Sequence, residues 1–260
     1  AFSVFGSYAQ NLSVPGTDAL YGALYTGVAP IPETSDSFDA GVRYQTGKVQ
    51  AQLSGWFNQY QNRLRAAYDE ATQTTTYVNL GKVEKYGVDG SIAFQPIRAL
   101  SLYVWGSYLV SDIKNDVLAG GVCDPDDVTD GFCYNQGGAG YYTTEGNREA
   151  GAPEYTAGAR AQGNLGPVEL GFQVKRTGQR WLNDINTIAL PAYTTADADV
   201  RVNLGYFEEN LDKAYFQVNF TNIFDEVYVG GTRGYDIATT GDYVNIGPPR
   251  AFTASLVWGF

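Results

Sequence analysis

Histidine and methionine are absent from the 260 residues, and cysteine occurs only twice. Without histidine there is no Ser–His–Asp or Cys–His catalytic set and no imidazole metal site. Without methionine there is no initiator residue, and no signal-peptide pattern is present. The expectation is a processed chain or a piece of a longer one. Long apolar runs are missing too. The best candidate, ALYGALYTGVAPIP (19–32), falls short of the ~18 residues of a transmembrane helix and is broken by prolines. Positive charge is scarce: 17 Lys and Arg face 28 Asp and Glu, a net charge of −11. That balance excludes nucleic-acid binding carried by phosphate contacts. Cys123 and Cys133 stand ten positions apart in VCDPDDVTDGFC. They are too few for a zinc set. The simpler reading is a disulfide closing one loop in an oxidising compartment; the alternative is two thiols without a role.

What the chain has in quantity is glycine (31), aromatic residues (20 Tyr, 13 Phe, 4 Trp) and strict alternation. In TTADADVRVNLGY, Ala196, Ala198, Val200, Val202, Leu204 and Tyr206 alternate with Thr195, Asp197, Asp199, Arg201, Asn203 and Gly205. SFDAGVRYQ, VELGFQVK, YFQVNFTN and RAFTASLVWGF alternate in the same way. This is the period of a strand with two unlike faces. No stretch has a convincing helical period. Ten strands are expected near 2–12, 36–46, 49–60, 83–95, 99–112, 154–165, 167–179, 194–207, 214–226 and 250–260.

Three features point these strands at a membrane. Most have about ten residues, the length that crosses the hydrocarbon layer when tilted by ~45°, whereas globular strands average nearer 5–6. The connections alternate, short after strands two, four, six and eight and long after the odd-numbered ones, as short periplasmic turns and long outside loops do. Asp39, Arg43, Glu169, Lys175, Asp197, Asp199 and Arg201 all fall on one face. A dry core could not hold these charges unpaired, and a wet or plugged lumen can. The fold class read from the sequence is therefore all-β, an antiparallel transmembrane β-barrel with about ten strands present.

Several ordered stretches carry a family resemblance. PETSDSFDAGVRY (32–44), WFNQYQNRL (56–64), NLGKVEKYGVDGSIAFQP (79–96), PAYTTADADVRVNLGY (191–206), NFTNIFDEVYVG (219–230) and GPPRAFTASLVWGF (247–260) resemble the carboxy-terminal part of TonB-dependent outer-membrane receptors. NIFDEVY with a final aromatic is the most specific of them. The resemblance covers essentially the whole chain, so residues 1–260 are expected to be the carboxy-terminal portion of such a barrel. It implies a parent barrel of about 22 strands with an amino-terminal plug inside it. It implies uptake of a scarce nutrient, commonly a ferric siderophore or similar metal chelate, in the outer membrane of a Gram-negative bacterium. The implied partners are TonB acting through the plug, the remainder of the barrel, outer-membrane lipid and lipopolysaccharide, and the barrel-assembly machinery. That machinery would read the terminal aromatics Trp258 and Phe260. Only about ten strands are present and no plug, so the chain is expected to be a fragment, with two sheet edges that need partners.

Residues for ligand contact are sought in the loops and the upper lumen. Arg63, Arg65, Tyr68, Tyr141, Tyr142, Arg148, Arg180, Trp181, Arg233 and Tyr235 are the candidates. Arginine matches anionic chelates with two parallel bonds, and aromatic rings stack on planar ligands. Each singly is more often a packing residue. The segment 112–149 is strongly acidic, with eight Asp and Glu against Lys114 and Arg148, a net of −6. Its DPDDVTDG stretch lacks the spacing of a calcium loop, and a solvated loop stapled by Cys123–Cys133 is the preferred reading. Asn222 and Asp225 of NIFDEVY are expected to satisfy backbone groups where a strand leaves the sheet. Asp197 and Asp199 share a face but suit a lumen ladder better than a glycosidase pair. No cofactor, no metal and no enzymatic activity are expected. The rival readings are a passive porin-like or adhesin-like small barrel and a soluble all-β binding protein.

Overall fold

A computed structural model describes residues 1–14, 31–69, 74–118, 123, 132–232, 237 and 244–258. Ten strands form one antiparallel sheet: β1 (Phe2–Ser13), β2 (Glu33–Gln45), β3 (Val49–Gln61), β4 (Val83–Ile97), β5 (Leu100–Ile113), β6 (Tyr155–Leu165), β7 (Val168–Thr177), β8 (Tyr193–Asn203), β9 (Tyr215–Thr221) and β10 (Ala251–Val257). Each pairs with its neighbour in sequence, so the sheet is an uninterrupted meander. Its edges are β1 and β10, which do not pair with one another among the described residues. All ten lie where the alternation places them.

Three of them end early, two for local reasons. β8 stops at Asn203, and the chain passes into two 3-10 turns, Leu204–Tyr206 and Glu209–Leu211. Gly205 permits this by lying against the backbone of Asp212, where an added Cβ would come within 2.6 Å of Cα. β9 stops at Thr221 because Asn222 adopts φ +50°, a conformation asparagine tolerates better than most residues. β10 is described as far as Val257; Trp258 follows, exposed, and Phe260 lies outside the described residues.

The register keeps the two faces apart across the whole sheet. Phe2, Tyr44, Ala51, Ile92, Val104, Ala159, Val174 and Ala196 follow one another through consecutive cross-strand pairs. The parallel row Val49, Phe94, Leu102, Ala161, Phe172, Ala198, Phe220 and Phe252 does the same. Apart from Ala196, these apolar side chains are not covered by the chain itself: Phe2 is 65% exposed and Phe252 74%. An apolar surface of this extent calls for lipid or protein against it. Toward the long-loop end the same face passes through an aromatic row, Tyr8, Phe38, Phe57 and Tyr86, and then a polar one, Gln10, Asp36, Gln59, Glu84 and Asp112. That is the order of an interfacial girdle.

The opposite face carries all seven charges that the sequence places there. Arg160 reaches Asp199 at 2.7 Å, crossing over Gly171 of the strand between them. Arg43 donates to Gln52 at 2.8 Å, and Arg201 to Gln217. Aromatic rings lie over glycines directly opposite: Phe5 on Gly41, Trp56 on Gly87 and Trp105 on Gly158. The glycine's bare backbone is what lets the ring lie flat.

The buried apolar cluster is not between sheets. It consists of Leu80, Val83, Ile113, Val117, Ile185 and Ile237, with Tyr60 and Tyr142 packed against it. Val83 opens β4 and Ile113, its register partner, closes β5, so the cluster sits at the long-loop end.

Gly87 offers a test of the close-packed polar face. A Cβ there would lie 2.3 Å from the Tyr108 carbonyl oxygen and 2.8 Å from the Trp56 ring. Gly87→Ala in the intact protein is expected to destabilise the sheet by about 2 kcal/mol. Gly55→Ala, on the apolar face with its nearest atom 3.8 Å away, is expected to change stability by less than about 0.5 kcal/mol. Urea unfolding in micelles, followed by tryptophan fluorescence, measures both.

Candidate functional site

The long connections gather at one end of the sheet and fold into structure of their own. Leu64–Asp69 pairs with Thr74–Asn79, Arg180–Trp181 with Ala189–Leu190, and Val229–Thr232 with Val244–Ile246. Val117–Leu118, Ala139–Tyr142 and Cys133–Gln136 form a three-stranded sheet. Its tight turn uses Gly137 at φ +61° and Gly138 at +86°, the two consecutive positive values that a two-residue hairpin of this hand requires.

Asparagine and aspartate side chains tie these loops together. The Asp184 carboxylate accepts from Ala150 N at 2.7 Å, and the Asp184 carbonyl accepts from Asn147. Asn186, at φ +56°, accepts from Arg148 N and donates to Arg148 O. Ile185 N donates to Ile237 O. Asn183 and Asp184 are fully buried. The run LNDINT could have signalled this, because Asx side chains mimic backbone in turns.

A four-membered ion cluster joins this layer to the wall. Arg63 donates to Glu33 at 2.8 Å and to Glu149 at 3.4 Å, and Lys85 reaches Glu149 at 2.6 Å. The Tyr60 ring lies 4.7 Å from the Arg63 guanidinium, and Glu33 also accepts from Leu64 N. Burial draws the Arg63 pKa down, but Glu149 and Glu33 outweigh it and hold the guanidinium above its ordinary value. The sequence shows none of this pairing, since Glu149 is 86 positions from Arg63.

The other sequence candidates separate into groups. Arg148 donates to the Leu109 carbonyl at 2.6 Å, and Arg180 donates to the Val229 carbonyl with its guanidinium beside the Tyr193 ring. Tyr141 stacks on Tyr134 with centroids 5.7 Å apart. Tyr142 packs on the buried cluster, and Trp181 is half-buried in its short hairpin. Arg65 and Tyr68 fall on the Leu64–Asp69 strand, and their side chains lie outside the described residues, as do Arg233 and Tyr235. Three of the five arginines sought as ligand forks, Arg63, Arg148 and Arg180, are thus engaged within the protein.

The remaining expectations are also placed. Cys123 and Cys133 are disulfide-bonded, with Cα atoms 5.9 Å apart. Asp124, Asp126, Asp127 and Asp130 lie outside the described residues. The acidic segment is not simply a solvated loop, because Glu149 is buried in the ion cluster and Asp116 accepts from Thr144 N and Glu145 N. No group of acidic or cysteine side chains among the described residues is arranged to hold a metal ion. In NIFDEVY, Asn222 donates to Glu226 O and Pro248 O and accepts from Glu226 N, while Asp225 accepts from Arg250 N. The pair fastens the exit of β9 to the start of β10, as expected. On the polar face near the short turns, a pocket of about 230 Å³ is lined by Lys48, Gln95, Tyr103, Arg160 and Gln162 among others.

With this geometry in hand, comparison with known proteins is informative. A family model described as TonB dependent receptor-like, beta-barrel matches residues 1–223. The ferrioxamine receptor of Yersinia enterocolitica is 28% identical over 200 residues, which make up 76% of this chain and 24% of that protein. The solved siderophore receptor PiuA from Acinetobacter baumannii is similar with a TM-score of 0.71 at 17% identity, over 98% of this chain and 33% of that one. The ferric yersiniabactin uptake receptor FyuA from Yersinia pestis gives a TM-score of 0.66 at 18% identity, over 97% and 34%. At such identity the solved structures share the fold. The chain spans about a quarter of the curated relative and about a third of each solved receptor.

The ion cluster predicts how the loop layer responds to substitution. Arg63→Met removes the guanidinium that Glu33 and Glu149 share. It is expected to cost about 2–3 kcal/mol, less than a fully buried pair because the Arg63 side chain keeps partial exposure. Arg250→Ala, which removes an exposed 3.9 Å pair, is expected to cost less than about 0.5 kcal/mol. Limited proteolysis of the intact receptor in micelles reads the difference as cleavage within 61–82 in the first variant only.

Proposed function

The chain belongs to the TonB-dependent receptor β-barrel family, and on that premise we propose that it supplies barrel wall and outside loops to a receptor importing a ferric chelate. Localisation follows from the family: the outer membrane of a Gram-negative bacterium. The observation that carries the proposal is the two-faced meander itself. Its apolar face is uncovered, its opposite face is charged, and its long loops share one end. A wall of this kind separates lipid from a polar interior. The interior would hold the plug, and energy would reach the ligand site from TonB through it. Residues 1–260 would be the carboxy-terminal portion of that barrel. Trp258 and Phe260 would be its assembly signal, and lipopolysaccharide would face the apolar rows and the polar row beyond the aromatic girdle.

The substrate class is supported by what the relatives are called: a ferrioxamine receptor, a siderophore receptor and a ferric yersiniabactin uptake receptor. Ligand contact is assigned to the loop layer, with Tyr141, Tyr142 and Trp181 as its aromatic side chains and Arg65, Tyr68, Arg233 and Tyr235 as further members. Arg63, Arg148 and Arg180 act one step back, by holding the layer in shape. A passive small pore is the weaker reading, because it requires β1 to close on β10. The transport role leaves no step for an enzyme.

Deletion of the gene for the whole receptor, in cells starved of iron, provides the test. Uptake of radioactive iron from ferric chelates is expected to fall at least about tenfold for the cognate chelate, to return with the intact gene, and to vanish when TonB is inactivated. Uptake that survives loss of TonB, or steady conductance of the purified protein in a planar bilayer, would point to a passive pore.

A further inference from the structure

The ten wall strands carry six cations, and five of them, Arg43, Lys85, Arg160, Lys175 and Arg201, lie on the inner face. Arg176 is the sixth, and it faces outward. It stands opposite Ala157 of β6 and Thr194 of β8. The next outward row toward the short turns is Val104, Ala159, Val174 and Ala196. Along β7 itself the outward residues before it, Val168, Leu170, Phe172 and Val174, are all apolar. Only Thr177 separates Arg176 from the long-loop end of the strand. One outward position further toward the loops lie Tyr155 and its register partner Tyr108, which is 54% exposed. Arg176 therefore marks the outer edge of the lipid-facing band, beside aromatic rings of the kind that sit at an interface.

The guanidinium is held in place but not neutralised. Its Nε donates to the Tyr155 hydroxyl at 3.4 Å, and Nη1 donates to Thr194 Oγ1 at 3.0 Å. Two of the five N–H donors of a guanidinium are used in this way, both on neutral oxygens. Among the described residues no carboxylate pairs with it. Ala157 is too short to cover it, and Arg176 is exposed. The cations at the rim beyond the aromatic row differ in this respect. Lys82 has Glu84 at 2.8 Å, and Lys114 has Glu84 at 3.2 Å. An arginine on a lipid-facing surface is costly unless it reaches the headgroups and a counter-charge there. Its planar fork matches a phosphate with two parallel bonds.

We propose that Arg176, with the hydroxyls of Tyr155 and Thr194, binds a phosphate carried on an acylated sugar of the outer leaflet, the headgroup chemistry of lipopolysaccharide. The proposal rests on the reading of the chain as outer-membrane wall, and it selects one place on a face given so far to lipid in general. The surroundings favour a lipid-borne phosphate over a free one. Apolar rows begin directly beside the guanidinium, where acyl chains of the same molecule would lie, and Tyr155 and Tyr108 flank its loop side, where the sugar would lie. A free anion would gain from neither. Lys175 provides the internal comparison, since it has the same charge on the same strand but belongs to the inner face.

The test uses the full-length protein, delipidated in micelles, with lipid adducts counted by native mass spectrometry. The probes are lipid A with two phosphates, the same lipid with both removed, and inorganic phosphate. Arg176→Gln is expected to weaken binding of the diphosphorylated lipid by about fivefold at low salt, with the difference shrinking as ionic strength rises. It is expected to leave the dephosphorylated lipid unaffected. Arg176→Lys keeps a point charge that phosphate accepts, and is expected to retain part of the binding. Lys175→Gln is expected to change nothing, and inorganic phosphate at equal concentration is expected not to displace the lipid. Unchanged binding in Arg176→Gln, by a variant still recovered from the outer membrane, overturns the proposal and leaves the wall reading intact. An equal loss in Lys175→Gln also overturns it, since net charge would then account for the binding. Displacement by inorganic phosphate overturns the lipid-borne assignment. Wild-type protein that stays in solution without detergent overturns the wall reading and the proposal together.

Discussion

In hydrocarbon no water is present to satisfy a backbone N–H or C=O, so each must find its partner in a neighbouring strand. The rest of this structure depends on that ladder. It joins ten strands through nine interfaces, and a slip of one residue at any of them would turn the apolar row toward the lumen and the charges toward lipid. Within the ten-stranded sheet the register shifts once, between Phe94 and Ile97 of β4. That place holds Pro96, which has no N–H to contribute to a ladder, and it lies at the short-turn end. The same requirement explains why the sheet is incomplete as a membrane structure. Among the described residues neither β1 nor β10 has an outer partner, and an open edge is not tolerated in lipid. The chain covers about a third of each solved receptor with this fold, and further wall strands would satisfy both edges.

A wall one sheet thick has no interior to bury, so the dry core has to be elsewhere. Here it lies in the loops. Val83 and Ile113 come from the ends of two wall strands, and Leu80, Val117, Ile185 and Ile237 from four different connections. The Asx contacts of Asn147, Asp184 and Asn186 close the same layer with polar bonds. The Arg63–Glu33–Glu149–Lys85 cluster then fixes it to β2 and β4. The outcome is a small globular layer set on the rim of a sheet. Its apolar and polar contacts are internal to the chain, which suits pre-organised recognition.

Much of this was legible in the sequence, and what was hidden was hidden for one reason. Strand positions, the two faces, the loop alternation, the disulfide and the role of Asn222 all follow from periodicity or from residues close in the chain. β8 and β9 read too long because alternation continues through Leu204–Tyr206 and through Ile223, where Gly205 and Asn222 have already turned the backbone. The loop layer was not legible, since its contacts join residues 30 to 86 positions apart and leave no periodic trace. Arg63, Arg148 and Arg180 were recognisable as residues able to bind an anion. Nothing local showed that each already binds one or an equivalent carbonyl.

The engagement of these three arginines is instructive about acidic loops in general. A layer with twice as many carboxylates as cations still needs donors to satisfy carbonyls and carboxylates that folding buries. Arginine suits the task, with five donors on a delocalised, weakly hydrated charge. The scarce cations are therefore drawn inward, as at Leu109, Val229 and Glu149. The carboxylates that are buried, Glu33, Glu149 and Asp184, are those given partners, because burying one without a partner is costly. A loop set is judged by its unpaired groups only after its internal pairs are known, and in this chain those pairs engage Arg63, Arg148 and Arg180.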